Sequence, residues 1–392
     1  MKKMLPGVGV FGSTSLIRCI VPILKACGFK VIAIWSSTEE DAKELAKDLG
    51  IPLSTSKVDE VLLHKDVDLV VLSCSPHIQS PIAVKALNIG KHVLCGMPAG
   101  SGEKSAHKMV NAARYYPRLM SLICHGLRFL PVISKMKKLI QEDDYVGDIT
   151  VCEVKVHCGS LQHDKFDWMC DELMGGGTLN TIGSSIIDVI TFVTGLKALK
   201  VHGMLKTFTK QTDKIKGIRE ITSDDFCSFQ MEMEDDACVN VVVNAHIPGN
   251  FIQEILICGT KGHLIVRGTD LFGQKSDHTK EDLLLFDRTG IKEEVKFGIL
   301  EKIRKEIPSP YLKGVIRMIE SVKDAFDREE QRQIWCSEPL HLAATFEDYF
   351  YTQTIIEAIK KSSKTKEWVK VVMVTDELEE YTTPVLRQTA VP

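Results

Sequence analysis

Chemistry at a phosphate is within reach of two hydroxyl-rich segments. Gly12-Ser13-Thr14-Ser15 follows an apolar strand and opens an amphipathic helix, where backbone N–H groups and a helix N-terminus can receive a pyrophosphate. The literal Gly-x-Gly-x-x-Gly match from Gly7 to Gly12 stands too early, because Gly7 and Gly9 precede or lie within the strand. With Gly12 as the first glycine of the turn, Thr14 and Ile17 take the second and third positions. Thr14 adds a Cβ where backbone should approach phosphate, although its hydroxyl can donate, and Ile17 pushes the helix off the strand. The site is weakened, not abolished. Trp35-Ser36-Ser37-Thr38 ends the second strand without the carboxylate that would grip a ribose 2′-hydroxyl, which favours NADP(H) over NAD(H). No arginine is there to clamp a 2′-phosphate, and the competing reading is a hydroxyl-rich helix cap. Cys74, Ser75, Pro76 and His77, after the strand that starts at Val67, complete the nucleotide-side candidates.

For proton transfer, His77, His125 and His157 are the histidines that could reach a cleft, although a histidine at a strand end more often makes a structural hydrogen bond. His157, Cys158, His163 and Asp164 are the one cluster suggestive of metal. They straddle a strand and a loop without a recognised ligand spacing, so no metal is expected.

These residues need a scaffold. From Met4 to Cys124 short β-branched runs (Val8–Phe11, Val31–Trp35, Val67–Ser73, His92–Cys95, Leu119–Cys124) alternate with amphipathic helices, the pattern of parallel strands joined by helical crossovers. Gly28 and Gly50 stop the first two helices, and Ser80-Pro81 reads as a helix start. A helix from Leu130-Pro131 to about Gln141 separates this part from alternating strands such as Cys152–His157 and Cys238–Val243, where strand follows strand and the sheet should be mostly antiparallel. Helices are expected at Gly183–Val193, Tyr311–Phe326 and Ala343–Lys361. The expected fold is therefore an α/β dinucleotide-binding domain with a doubly wound parallel sheet over 1–126, and an α+β domain with a large, mostly antiparallel sheet over 127–375. The acidic, aperiodic segment 376–392 reads as a disordered tail.

With 49 basic and 52 acidic side chains, the net charge of -3 offers no field for nucleic acid or an anionic membrane, and neither is expected as a partner. No apolar run reaches the roughly 18 residues of a membrane span. The glycines after Met4 break what would otherwise resemble a secretory signal. Twelve cysteines sit singly in apolar runs with no Cys-x-x-Cys pair, which points to a reducing, cytoplasmic setting. Val239, Val241 and Val243 alternate with Cys238, Asn240, Val242 and Asn244, suggesting apolar groups on both sheet faces and a homodimer or higher homo-oligomer.

Three long segments carry a family likeness. Val67-Asp68-Leu69-Val70-Val71-Leu72 through Lys91-His92-Val93-Leu94-Cys95, Gly175-Gly176-Gly177-Thr178-Leu179 through Asp188, and Ile356-Glu357-Ala358-Ile359 through Trp368-Val369 resemble the glucose-fructose oxidoreductase, inositol dehydrogenase and rhizopine-catabolism family. Met4 to Gly12, Leu127-Arg128-Phe129-Leu130-Pro131 and Val201 to Phe208 are similar to its animal branch, the glucose-fructose oxidoreductase domain-containing proteins.

The resemblance implies an NAD(P)-dependent sugar or polyol oxidoreductase, with a lysine in a Glu-Lys-Pro motif and an acid/base histidine in Asp-x-Gly-x-His-x-x-Asp. Here the first motif reads Gly96-Met97-Pro98. The second runs from Thr181 to Asp188, with Thr181 and Ser185 in place of the first aspartate and the histidine, and Asp188 the one polar residue retained. Neither Met97 nor an unactivated serine moves protons at neutral pH. Arg128 stands where the family can put a basic residue beside the substrate, or else forms a salt bridge. The expected protein is a catalytically impaired or inactive family member, binding NADP(H) in a regulatory or scaffold role toward an unknown protein partner. The alternatives are an active oxidoreductase with relocated acid/base groups, and the secreted, matrix-assembly role suggested for some relatives.

Overall fold

The β-branched runs of the first third pair in parallel because each is followed by a helix long enough to cross back over the sheet. A computed structural model describes residues 5–12, 15–161, 166–211, 219–249, 251–287 and 307–373. β1 (Gly7–Phe11), β2 (Lys30–Trp35), β3 (Leu53–Thr55), β4 (Leu69–Leu72), β5 (His92–Cys95) and β6 (Ser121–Ile123) lie side by side in the order β3-β2-β1-β4-β5-β6. The order reverses between β1 and β4, so their carboxyl ends open the crevice where open α/β sheets bind ligands. Gly7 and Gly9 lie inside β1, as the reading of the misplaced fingerprint required. A Cβ on Gly7 would stand 1.8 Å from the Asp66 carbonyl oxygen, and one on Gly9 2.6 Å from Val61, so both are packing glycines.

Helices α1 (Ser15–Ala26), α2 (Glu39–Leu49), α3 (Val58–Leu62), α4 (Pro76–Asn88) and α5 (Glu103–Tyr115) cover the two faces of this sheet. Thr38 caps α2 by accepting from the Asp41 N–H, and Gly50 ends it in the left-handed region at φ 60°. α6 (Pro131–Gln141) leads into the second sheet, with proline at its first turn.

β7 (Ile149–His157) is central in the second sheet, flanked by β10 (Cys238–Asn244) in parallel and β11 (Ile252–Gly259) antiparallel. β9 (Phe226–Met233) and β8 (Ala198–Lys206) extend one side. β12 (Gly262–Arg267), β13 (Asp270–Lys275) and β14 (Asp282–Phe286) extend the other, all antiparallel. Val239, Val241 and Val243 turn inward with Val154, Val156 and Ile255 against α6 and α7 (Ser184–Thr194). The outer side of β8 beyond its short pairing is blunted, because its Gly203 and Leu205 N–H groups donate to the Ser362 and Ser363 hydroxyls.

The expected division at residue 126 needs one correction. α8 (Ser309–Asp327) returns to the first domain, packing Leu312, Ile316 and Ile319 into the core formed by α1 and β1. β15 (Ala344–Thr345) adds antiparallel to β6. α9 (Phe346–Thr365) then bridges, with Phe346, Tyr349 and Phe350 in the first domain's core and Ile355, Ile356 and Ile359 in the second's. A two-residue β16 (Val369–Lys370) closes the second sheet against β8. The tail expected at 376–392 lies outside the described residues.

α8 reaches its seat through a glycine-on-glycine contact. A Cβ on Gly314 would meet the Gly126 carbonyl oxygen at 2.3 Å, and one on Gly126 would meet the Val315 nitrogen at 2.7 Å. Backbone cannot move aside as a flexible side chain can, so Gly314→Ala is expected to cost about 1–3 kcal/mol of overpacking. Denaturant unfolding should show a lowered midpoint with an unchanged slope.

Candidate functional site

Three loops meet at the carboxyl ends of β1, β4 and β5. Gly12 leaves β1 at φ +142°, a conformation costly for any residue with a Cβ, and a Cβ there would sit 2.2 Å from the Ser73 carbonyl oxygen. This bare turn next to the N-terminus of α1 fits a dinucleotide pyrophosphate. Ser15 begins α1, while Ser13 and Thr14 lie outside the described residues. Ile17, in the third fingerprint position, is fully buried.

At the end of β2 the expected hydroxyls separate. Ser36 is buried with its Oγ unpartnered, while Ser37 and Thr38 are both exposed and Thr38 is committed to capping α2. Trp35 is held by its indole N–H donating to the Ser56 carbonyl. A carboxylate does stand nearby, one step into α2: Glu39 accepts from the Ser56 N–H at 3.1 Å.

Ser75 and Pro76 open α4, with His77 exposed on its first turn. Gly96, Met97 and Pro98 follow β5, and the Met97–Pro98 bond is cis. Gln79 anchors this loop, its Nε2 donating to the Cys74 carbonyl at 2.8 Å and the Pro98 carbonyl at 2.9 Å. Tyr349 bonds both the N–H and the carbonyl of Gly100. The loop at which the family resemblance implies a lysine is thus pinned in place and presents a thioether.

Between the domains lies a cavity of about 290 Å³ where Cys74, Gln79 and Met97 face Thr181, Ser185 and Trp168. Among the described residues no Asp, Glu, Lys, Arg or His lines it. The hydroxyls are spent locally: Thr181 donates to the Gly177 carbonyl at 2.7 Å, and Ser185 leans on the Thr181 carbonyl at 3.4 Å with no base beside it. Burial pushes the Cys74 and Cys124 thiols up to about 12 and Cys158 to about 11, so none is a thiolate at neutral pH.

Arg128 does not face this cavity. Its Nε and Nη2 donate to the two Asp188 oxygens at 2.8 and 2.6 Å, both side chains are buried, and Nη2 also lies 3.3 Å from Asp348. Arg128 is thus held in a buried salt bridge, and it is not among the described residues that line the cavity. His125 sits beneath this pair, its Nδ1 3.6 Å from Asp188 and neither ring nitrogen hydrogen-bonded, and burial holds its imidazole below the ordinary value. His157 lies on the outer face of the second sheet, opposite in direction to Cys158. None of the three candidate histidines lines the cavity. His163 and Asp164 fall outside the described residues.

A doubly wound domain joined to an antiparallel sheet, with a cleft at the switch point, defines an oxidoreductase-type architecture. Residues 5–122 match the oxidoreductase family with an NAD-binding Rossmann fold, and 133–265 match the GFO/IDH/MocA C-terminal domain. The chain belongs to the GFO/IDH/MocA oxidoreductase family. It is 50% identical over 376 residues to glucose-fructose oxidoreductase domain-containing protein 1 of Xenopus tropicalis, covering 96% of this chain and 95% of that one. It is 47% identical over 375 residues to domain-containing protein 2 of Homo sapiens, covering 96% of each. Levoglucosan dehydrogenase in complex with NADH shares the fold, with a TM-score of 0.77 at 20% identity over 95% of this chain and all of the other. So does the transcriptional regulator Gal80p of a Kluyveromyces yeast, with a TM-score of 0.74 at 16% identity over 94% and 92%.

Sequence reasoning missed Gln79, whose one signal is an amide on the buried side of α4, and Asp224. Asp224 clasps the glycine-rich turn: it accepts from the Thr178 hydroxyl and from the Leu179 N–H at 2.9 Å, and a Cβ on Gly177 would strike its carboxylate at 2.1 Å. The turn then runs through a π-helical stretch, Leu179–Gly183, that delivers Thr181 and Ser185 to the cavity. Burial pushes the Asp224 carboxyl up to about 6. The folded state therefore holds a proton that the unfolded chain gives up near pH 4, and this contribution to stability is lost as pH rises from about 4 through 6. Asp224→Asn keeps the acceptor for Leu179, so its unfolding free energy should stay flatter than wild type across that window, as pH-stepped urea titrations can measure.

Proposed function

We propose that this protein binds a nicotinamide dinucleotide and acts in a regulatory or scaffold role toward another protein, without turning over polyols. The observation that carries the reading is the cavity at the switch point, where Met97 and Ser185 stand at the family's proton-transfer positions and no charged described residue lines the wall. The residues that would hold the cofactor are Gly12 at the pyrophosphate, Ser37 at the ribose, and Cys74 and Met97 at the nicotinamide. Bound there, the cofactor would supply a hydride acceptor or donor. Oxidation of a carbinol also needs a base for the hydroxyl proton, and losing such help typically slows a reaction about 10²–10⁴-fold. The same fold serves both the dehydrogenase that binds NADH and the regulator Gal80p, which supports separating the fold from its chemistry.

Ser37 and the absence of a carboxylate at the β2 end itself support NADP(H) over NAD(H), with Glu39 turned to Ser56. The twelve free cysteines, eight of them buried, support a reducing, cytoplasmic location. No described helix is long and apolar enough to cross a membrane. Self-association is proposed through the outer face of the second sheet. Val242, Leu256 and Ile265 lie there among Glu153, Lys155 and Glu254 around a groove, a mixed apolar and charged surface. A monomeric mass by light scattering at micromolar concentration would remove that element.

Calorimetric titration with both cofactors tests the reading directly: tighter binding of NADP(H) is expected. Equal or tighter NAD(H) binding removes the preference, and binding of neither removes the cofactor altogether. Met97→Lys with Ser185→His should raise polyol turnover well above either single change, because the two groups act as a unit. Robust turnover by the unmodified protein would overturn the proposal.

A further inference from the structure

The cavity that a polyol would occupy is built for something else. Its wall mixes sulfur and hydrocarbon, with Met97, Met169, Cys124 and Cys158 beside Leu127 and Phe251, and no charged described residue. Its hydroxyl protons on Thr181, Ser185 and Tyr311 are committed: Thr181 to the Gly177 carbonyl, Ser185 to the Thr181 carbonyl, and Tyr311 to the Gln253 Oε1 at 3.3 Å. Among the described lining side chains, one buried acceptor has no partner at all. Gln79 is 2% exposed, its two hydrogen bonds both use Nε2, and its Oε1 is buried without a partner. The amide orientation is fixed, since both partners of Nε2 are carbonyls and a flip would set oxygen against oxygen.

We propose that this cavity takes a neutral, largely apolar one- or two-ring molecule bearing a single hydrogen-bond donor that Gln79 Oε1 accepts. The inference deepens the reading of the cleft as the family's ligand site and rests on it. An apolar cavity of roughly 150 Å³ takes up benzene, so about 290 Å³ has room for fused rings. A polyol is disfavoured by the same wall: each hydroxyl buried without a partner weakens binding about tenfold, and the few polar groups on a wall of mostly hydrocarbon and sulfur cannot serve a whole ring of them. A charged ligand finds no counter-ion.

The test compares three neutral probes on the full chain: 1-indanol (apolar with one donor), indane (the same rings without it) and myo-inositol. Binding is read by saturation-transfer NMR and by fluorescence of Trp168, which lines the cavity, with Trp168→Phe as the control for the other tryptophans. Saturable uptake of 1-indanol, about tenfold weaker binding of indane, and no uptake of myo-inositol are expected. Met97→Lys should abolish the uptake of both apolar probes. Gln79→Leu should bring 1-indanol down to the level of indane. If that variant unfolds because its loop bonds are lost, the wild-type ratio of 1-indanol to indane still decides the donor claim. Binding of myo-inositol at or above 1-indanol, or no uptake of any probe, overturns the inference. NADP(H) titrated in parallel keeps the two readings apart: cofactor binding without 1-indanol uptake defeats this inference alone, and the reverse defeats the cofactor reading alone.

Discussion

The buried pair of Arg128 and Asp188 joins the pieces of this molecule. Arg128 leaves the first domain on a 3-10 turn between β6 and α6, Asp188 stands on α7 of the second, and Asp348 begins the helix that spans both. Asp348 is itself held in a capping box, accepting from the Thr345 N–H and hydroxyl. The Arg128 guanidinium also lies 4.6 Å over the Phe192 ring. Removing one member of such a buried pair typically costs about 3–5 kcal/mol, because the other charge is stranded. The position of the cavity walls relative to each other depends on this clasp.

That constraint explains which polar residues of the family segment survive. Asp188 is retained because its carboxylate supports the clasp, a structural task indifferent to turnover. Ser185, one turn earlier on the same helix, faces the cavity and has no structural partner beyond its own helix backbone. Met97 likewise sits in a loop whose shape is set by Gln79 and Tyr349 and does not depend on the side chain at that position. The scaffold therefore does not depend on the side chain at either position. The thiols around them, pushed far above neutrality by burial, add hydrophobic lining and no base.

Much of this was legible in the sequence. The β-branched runs and helix punctuation placed β1, β2, β4, β5 and β6, and Pro131 and Gly50 marked helix boundaries because their backbone preferences are local. The two- and three-residue strands β3, β15 and β16 were not legible, since they exist only through their neighbours. Nor was the return of α8 and β15 to the first domain, a tertiary choice fixed by the Gly126–Gly314 contact. At the site, Met97, Ser185 and Asp188 could be found by their place in motifs. Ser36 fell on the buried side because nothing in a run of hydroxyls says which one faces out. Gln79 and Asp224 act through bonds to carbonyls and N–H groups distant in the chain, and their residue types alone do not announce that.

The central claim is that the hydride site persists without a proton-transfer partner, and isotope transfer addresses it most directly. The wild-type chain is incubated to long times with NADP⁺ and uniformly carbon-deuterated glucose or myo-inositol, and the cofactor pool is analysed by mass spectrometry. The account predicts no deuterated NADPH above the protein-free control. Deuterium accumulating in the cofactor beyond one equivalent per chain would contradict it.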